Sequence, residues 1–272
     1  IVSDDKPGGM TEKIVKRLAE EDSRIIYVEG KGKGVVTNFV NAIRYTKGDK
    51  IFLCDQDDVW YADKIEKTLT MMSSMEVDAA VPALVHTDLR VVDGEGKQIA
   101  ASFCAHSAID GNRLHLNHLL VQNVVTGCTV MINRSLAELA CRSVGSNAMQ
   151  MHDWWLALLA SCCGTAAFLD EVTMDYRQHD HNSVGAKNAR SPHYILARLF
   201  SGETRKSLDA AADQAQDFLD CYADRLSDVQ KELIRAFAST RGASVIYRDK
   251  IFLKYGLLKK GLLRICAQLL DL

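Results

Sequence analysis

The sequence predicts an α/β fold: a mostly parallel sheet flanked by helices, followed by an α-helical C-terminal extension. Three observations predict it. Over residues 1 to 54, short apolar runs alternate with amphipathic helical stretches, the pattern of a sheet covered by helices. Acids gather where two of those runs end, Asp4 and Asp5 after the first and Asp55, Asp57 and Asp58 after the third. Carboxyl ends of strands are where open α/β sheets bind ligands. From Pro192 onward strand signals nearly vanish and helical periodicity takes over. Residues 1–190 are therefore expected to form one α/β domain and residues 191–272 a helical region.

Taken in order, Ile1 to Ser3 reads as a strand and residues 4 to 9 as its loop. Thr11 can cap a helix reaching Glu21, with Ile14, Val15 and Leu18 on one face. Ile25 to Val28 is a second strand, and Glu29 to Gly34 a basic, glycine-rich loop carrying Lys31 and Lys33. Val35 to Lys47 reads as a helix stopped by Gly48, and Ile51 to Cys54 as a buried strand. Asp63 to Met75 is helical. Leu84 to His86 is a strand, and Leu89 to Val92 with its Asp-Gly turn half of a hairpin. Residues 100 to 112 have no clear period and read as a loop, and Leu114 to Val121 as a helix. Val124 to Ile132 is expected as one strand, with Gly127 where a ligand or backbone approaches closely. A short helix follows over Ser135 to Arg142. Met151-His152-Asp153-Trp154-Trp155 opens an apolar helix through Cys163, closed by Gly164. Ala166 to Leu169 and Val172 to Tyr176 read as two strands, delivering Arg177, His179 and His181 into a loop. Ser207 to Tyr222 is an amphipathic helix. Arg241 to Leu272 mixes Arg248, Lys250, Lys254, Lys259, Lys260 and Arg264 with leucine and isoleucine. That stretch reads equally as a peripheral contact with an anionic membrane or as helices packed on their own domain.

Composition narrows the class. The chain has 272 residues, 47% hydrophobic and 25% charged, as ordinary globular proteins do. A formal net charge of −2 does not suggest nucleic acid as a partner. The eight cysteines are scattered with no C-x-x-C, which argues against a zinc site or disulfide framework and for a reducing, cytoplasmic setting. No uninterrupted apolar segment is long enough to span a bilayer.

The chemistry centres on Asp55-Gln56-Asp57-Asp58. Carboxylates this close repel unless a cation joins them. A hard divalent cation with oxygen ligands is the natural partner, and Mg²⁺ characteristically combines one or two carboxylates with substrate phosphates. Asp153 falls near a helix N-terminus, where the backbone dipole stabilises a carboxylate, so it reads either as a capping acid or as a base.

An ordered series carries a family resemblance: Ser3-Asp4-Asp5, Gly34-Val35 with Asn38-Phe39, Asp55-Gln56-Asp57-Asp58-Val59-Trp60, His86-Thr87-Asp88-Leu89, Thr126-Gly127-Cys128-Thr129, His152-Asp153-Trp154-Trp155, and Tyr176-Arg177-Gln178-His179 with Asn182. Over residues 1 to 185 the chain resembles the GT-A glycosyltransferases of family 2, and is most similar to bacterial rhamnosyltransferase-like enzymes of surface-polysaccharide biosynthesis. The resemblance implies a Rossmann-like GT-A fold. It implies inverting transfer from a nucleotide-diphosphate sugar (UDP or dTDP) to a glycan or lipid-linked acceptor, aided by Mg²⁺ or Mn²⁺. It further implies Asp57 and His179 as metal ligands, Asp4 and Asp5 near the base, and Asp55 near the ribose or metal. Asp58, Gly127, Trp154 and Arg177 would lie along donor and acceptor, and Asp153 would be the catalytic base. Family members begin with a further strand and loop that touch the nucleotide, followed by a helix. These are absent here, and an N-terminal extension is expected to restore nucleotide binding. The rival readings are a truncated, inactive scaffold and a two-metal hydrolase using Asp55, Asp57, His152, Asp153 and His179.

Overall fold

A computed structural model describes residues 1–143, 148–178 and 202–270. The N-terminal alternation folds as the pattern demands: β1 (Val2–Asp4), α1 (Met10–Glu21), β2 (Tyr27–Glu29), α2 (Val35–Tyr45) and β3 (Lys50–Phe52). β1 and β2 pair in parallel as a separate two-stranded sheet. β3 belongs to a second, six-stranded sheet with β4 (Val59–Trp60), β5 (Ala83–Val92), β6 (Gln98–Ala100), β7 (Met131–Asn133) and β8 (Thr165–Arg177). Its order is β3-β7-β5-β8-β4, with β6 added to β5.

The α/β class is as expected, and the sheet is mixed. β5 and β8 run parallel, and β3, β5 and β8 share one direction. β7, β6 and β4 are antiparallel to their neighbours. β5 and β6 pair antiparallel across the short Asp93–Lys97 turn, the other antiparallel pairs join strands far apart in sequence, and the parallel β5–β8 pair needs a crossover.

Several elements differ from their sequence outline for local reasons. The segment expected as two strands before the hairpin is one strand, β5, buried over nearly all its length. The two strands expected near residue 170 are also one, β8, which absorbs its irregularity as register shifts opposite Thr87, Asp88 and Arg90. Val124 to Ile132 is not a strand throughout. A 3₁₀ turn over Gly127–Thr129 precedes β7, held by Thr129 N–H and Oγ1 both bonding the Thr126 carbonyl. The expected loop holds a short helix, α4 (Phe103–His106), capped by Ser102, and the helix after it shortens to α5 (Leu116–Leu119).

Helices α3 (Lys64–Met75), α6 (Arg134–Ala140) and α7 (His152–Cys163) cover the sheet. α7 ends at Gly164 because β8 starts against β5 there: a Cβ on Gly164 would lie 1.8 Å from the Pro82 carbonyl oxygen. The C-terminal helices are α8 (Glu203–Tyr222), α9 (Asp228–Ala238), α10 (Val245–Tyr255) and α11 (Leu262–Leu269). One apolar core runs from Leu84 and Ile132 through Trp155 to Phe218, Phe237 and Phe252. Trp155 meets Phe218 edge-on at 5.2 Å, which makes it a core residue joining the two regions.

The basic C-terminal stretch is not one continuous face. Gly256 breaks it, Arg248 and Lys259 are buried, and Arg264 donates to the carbonyls of Ala108 and Ser107 at 2.5 and 2.6 Å. Lys260 bonds Asp110 at 3.1 Å, and Arg113 donates back to the Leu258 carbonyl. α10 and α11 therefore clamp residues 107 to 122 onto the domain. No described helix is long and apolar enough to cross a membrane.

Candidate active site

The acidic loop lies between β3 and β4, and β4 explains its shape. Val59 pairs with Asp175 and Trp60 with Met174, antiparallel to the end of β8. That register sets Asp58 opposite the last residues of β8, where Asp58 Oδ1 accepts from the Arg177 backbone N–H at 3.1 Å. The 3₁₀ turn after Thr126 brings Cys128 to the same place. Ligating atoms of Asp55, Asp58 and Cys128 lie within 4.8 Å of one another.

This cluster concentrates acidic groups. Burial pushes the Asp55 carboxyl up to about 6, with Asp58 and Asp57 adding repulsion. Burial also raises Asp58, against the opposing hydrogen bonds from Arg177 N–H and the Cys128 thiol. Asp58 Oδ2 is buried with no hydrogen-bond partner among the described residues. Burial holds the Cys128 thiol well above its usual range, so it is a neutral donor rather than a thiolate. Two carboxylates with a free, buried oxygen fit a hard divalent cation. Asp57 sits beside them, half-buried, with its Oδ1 accepting from Gln56 at 3.3 Å.

One cation is built in. Lys64, fully buried at the start of α3, bonds Thr173 Oγ1 at 3.2 Å and lies 5.0 Å from the Trp60 ring centroid. Burial pulls its ammonium down to about 8, against the opposing charge of Asp58.

The second carboxylate group belongs to α7. Asp153, buried in the first turn, has Oδ1 bonded by the Trp154 backbone N–H at 2.6 Å and by Asn123 Nδ2 at 3.0 Å. The Gly127 N–H also donates to it. Burial outweighs these donors and raises Asp153 to about 6, with the charge of Asp55 contributing. A carboxylate poised near 6 is a competent general base at neutral pH. Gly127 is required here: a Cβ would lie 2.8 Å from His152 Nε2 and 3.4 Å from Asp153 Oδ2.

The family model for glycosyl transferase family 2 matches residues 1–139, half of the chain. The chain belongs to glycosyl transferase family 2. A dTDP-rhamnosyl transferase, RfbG of Shigella flexneri, is 27% identical over 61% of this chain. The match spans 57% of that relative's length. Among solved structures, S. aureus TarS 1-349 in complex with UDP-GlcNAc aligns over 94% of this chain and 82% of its own at 9% identity, with a TM-score of 0.45. That likeness is too slight to bear on donor or acceptor.

The remaining residues expected at the family 2 site fall in several places. Asp4 ends β1, buried, and accepts from Lys6 N–H at 3.0 Å and the Tyr27 hydroxyl at 3.2 Å. Asp5 accepts from the Gly32 and Gly34 N–H groups at 2.8 and 2.7 Å, tying the glycine-rich loop to the N-terminus of α2. Trp154 is half-buried and donates its indole N–H to the Leu119 carbonyl at 2.6 Å. Arg177 lies beside Asp58 through its backbone. His179 lies outside the described residues, as does His181. Sequence reasoning missed Cys128, Lys64 and Asn123 as neighbours of the acids. Cys128 follows Gly127 directly, the one signal available. Lys64 and Asn123 carry no local signal, since their placement depends on packing against β8 and α7.

Proposed function

We propose that this chain is the catalytic part of an inverting, metal-dependent glycosyltransferase that takes its sugar from a dTDP- or UDP-sugar. The observation that carries the proposal is one short turn that touches both groups: Gly127 faces Asp153 Oδ2, and Cys128 next to it lies with Asp55 and Asp58, their ligating atoms within 4.8 Å of one another. Asp55, Asp57 and Asp58, with His179, would hold Mg²⁺ or Mn²⁺, which supplies Lewis-acid stabilisation of the departing diphosphate. Asp153 accepts the proton of an acceptor hydroxyl as its oxygen attacks the anomeric carbon. The bond from that carbon to the diphosphate oxygen breaks on the opposite face, and the configuration inverts. Asn123, Gly127 N–H and Trp154 N–H hold the carboxylate in place. Asp4, at the end of β1, is assigned to the nucleotide base, and the loop ordered by Asp5, with Lys31 and Lys33, to the diphosphate side.

The rhamnosyl activity named for the Shigella relative makes dTDP-rhamnose the first donor to test. A glycan or lipid-linked acceptor of cell-surface polysaccharide biosynthesis, on the cytoplasmic side of the membrane, is the matching acceptor class. Ile246 and Leu253 are exposed on α10, with Lys250 between them and Lys254 beside Leu253, which supports a peripheral contact with an anionic bilayer. The test is a thermal-shift screen of dTDP- and UDP-sugars with Mn²⁺, then NMR of the product's anomeric configuration. Stabilisation by one donor class and an inverted product are expected. Retention of configuration, or no donor stabilising the chain, contradicts the proposal.

A further inference from the structure

His152 has no place in the chemistry above, and its surroundings are unusual. It opens α7, one residue before Asp153, and is 4% exposed. Its ring stacks flat on Phe39 of α2, centroids 4.0 Å apart and planes 12° from parallel. Neither ring nitrogen has a hydrogen-bond partner among the described residues. A buried polar group left unpaired is costly, so each one in a folded chain calls for a reason, and a ligand or a catalytic role is one. The ring's direction is fixed: Nε2 points at Gly127, the residue whose N–H binds Asp153 and whose neighbour Cys128 reaches Asp55 and Asp58. The orphaned Nε2 therefore faces the same glycine as Asp153: a Cβ on Gly127 would lie 2.8 Å from His152 Nε2 and 3.4 Å from Asp153 Oδ2.

The charge state selects the ligand. Burial lowers the imidazole to about 4, so at neutral pH it is uncharged. A neutral imidazole offers one N–H donor and one nitrogen acceptor. A diphosphate oxygen accepts only, and is matched by cations or arrays of N–H groups. A sugar hydroxyl both donates and accepts, as the neutral ring does.

We propose that His152 is a specificity-determining residue that hydrogen-bonds a neutral sugar hydroxyl next to the reacting carbon, on the donor sugar or the acceptor. This rests on the glycosyl-transfer reading and deepens it. His152 does not touch the diphosphate. Phe39 holds the ring, and Gly127 leaves it room.

The test compares wild type with His152→Phe, which keeps a ring against Phe39 but has no nitrogen, and His152→Gln, which keeps a neutral donor and acceptor. Transfer is measured with dTDP-rhamnose or whichever donor wild type uses, with deoxy analogues of donor and acceptor, and binding of dTDP and UDP alone is measured by calorimetry with Mn²⁺. Ring nitrogen shifts of wild-type His152, assigned with the Gln variant, are followed by ¹⁵N NMR, which needs no folded Phe variant. The expected result is a loss of about tenfold in kcat/KM for His152→Phe, the scale of one hydrogen bond made in the transition state. His152→Gln retains part of the activity, nucleoside diphosphate affinity stays within twofold, and the ring shifts move with the sugar donor or acceptor but not with dTDP. Removing one hydroxyl should reproduce the loss in wild type and add nothing in His152→Phe; whether it is a donor or an acceptor hydroxyl identifies the sugar. Unchanged kcat/KM in His152→Phe, an equal loss of dTDP affinity, or no coupled hydroxyl would overturn the inference alone. Absence of transfer by wild type with every donor overturns the glycosyltransferase reading and this inference with it.

Discussion

Replacing Asp55 with asparagine should make the metal-free chain more stable at neutral pH. Asp55 is raised from 3.8 to about 6, mainly by burial and then by Asp58 and Asp57. A carboxyl raised on folding holds its proton more tightly in the native state than in the unfolded one. Native stability is therefore greatest below about 4 and falls as pH rises through about 6. The full penalty on the ionised form is about 3 kcal/mol. Asp55 keeps some solvent contact, so about 1–2 kcal/mol is expected at pH 8. For a chain this size that corresponds to a melting temperature higher by about 2–4 °C in Asp55→Asn. The assay is thermal unfolding of both proteins in EDTA from pH 4 to 8, repeated with excess Mn²⁺. The difference should open between pH 4 and 6 and close below pH 4. With Mn²⁺ the order should reverse, because the ion stabilises the native wild type by mass action and has lost a ligand in the variant. An Asp55→Asn chain less stable than wild type at pH 8 without metal, or equal Mn²⁺ stabilisation of both, would show that Asp55 is neither strained by burial nor a metal ligand.

Three other outcomes follow from the same geometry. Gly127→Ala should destabilise by about 1–3 kcal/mol in urea unfolding, because its Cβ meets His152 Nε2 at 2.8 Å and the stacked ring has little room to retreat. Lys64→Met should tighten Mn²⁺ binding in calorimetry at pH 7, since it removes the buried cation facing Asp58 and Cys128; unchanged or weaker binding counts against that role. The acidic limb of kcat/KM against pH should fall near 6 in wild type, following Asp153, and Asn123→Ala should move it upward by removing a donor to the ionised form.

The parts of this molecule legible in its sequence are those set by local pattern. The alternation from β1 to β3 rests on apolar spacing and turn residues, and it folds as expected within a residue or two. The acids of 55 to 58 are visible because three carboxylates in four residues follow an apolar strand. What the sequence hides is set by distant partners. β4 is two residues long and exists because β8 offers an edge at Met174 and Asp175. An apolar run such as Val124 to Ile132 does not distinguish a strand from a turn feeding a strand; the Thr129 bonds to the Thr126 carbonyl decide it. Asn123 and Lys64 become site residues through tertiary packing, and the basic C-terminal residues divide into buried, clamped and exposed by the same means. The boundary expected near residue 190 falls outside the described residues, and the core crosses from Trp155 to Phe218 without a break.

In the proposed reaction the acid cluster and Asp153 act together on a nucleotide sugar. This is tested most directly by nucleoside diphosphate release from a panel of dTDP- and UDP-sugars with Mn²⁺ and a rhamnan or lipid-linked acceptor, in wild type and Asp153→Asn. Release from at least one donor is expected, abolished by EDTA and lowered at least about 100-fold in Asp153→Asn, with donor affinity retained. Release that survives both EDTA and the substitution, or no release from any donor, would contradict it.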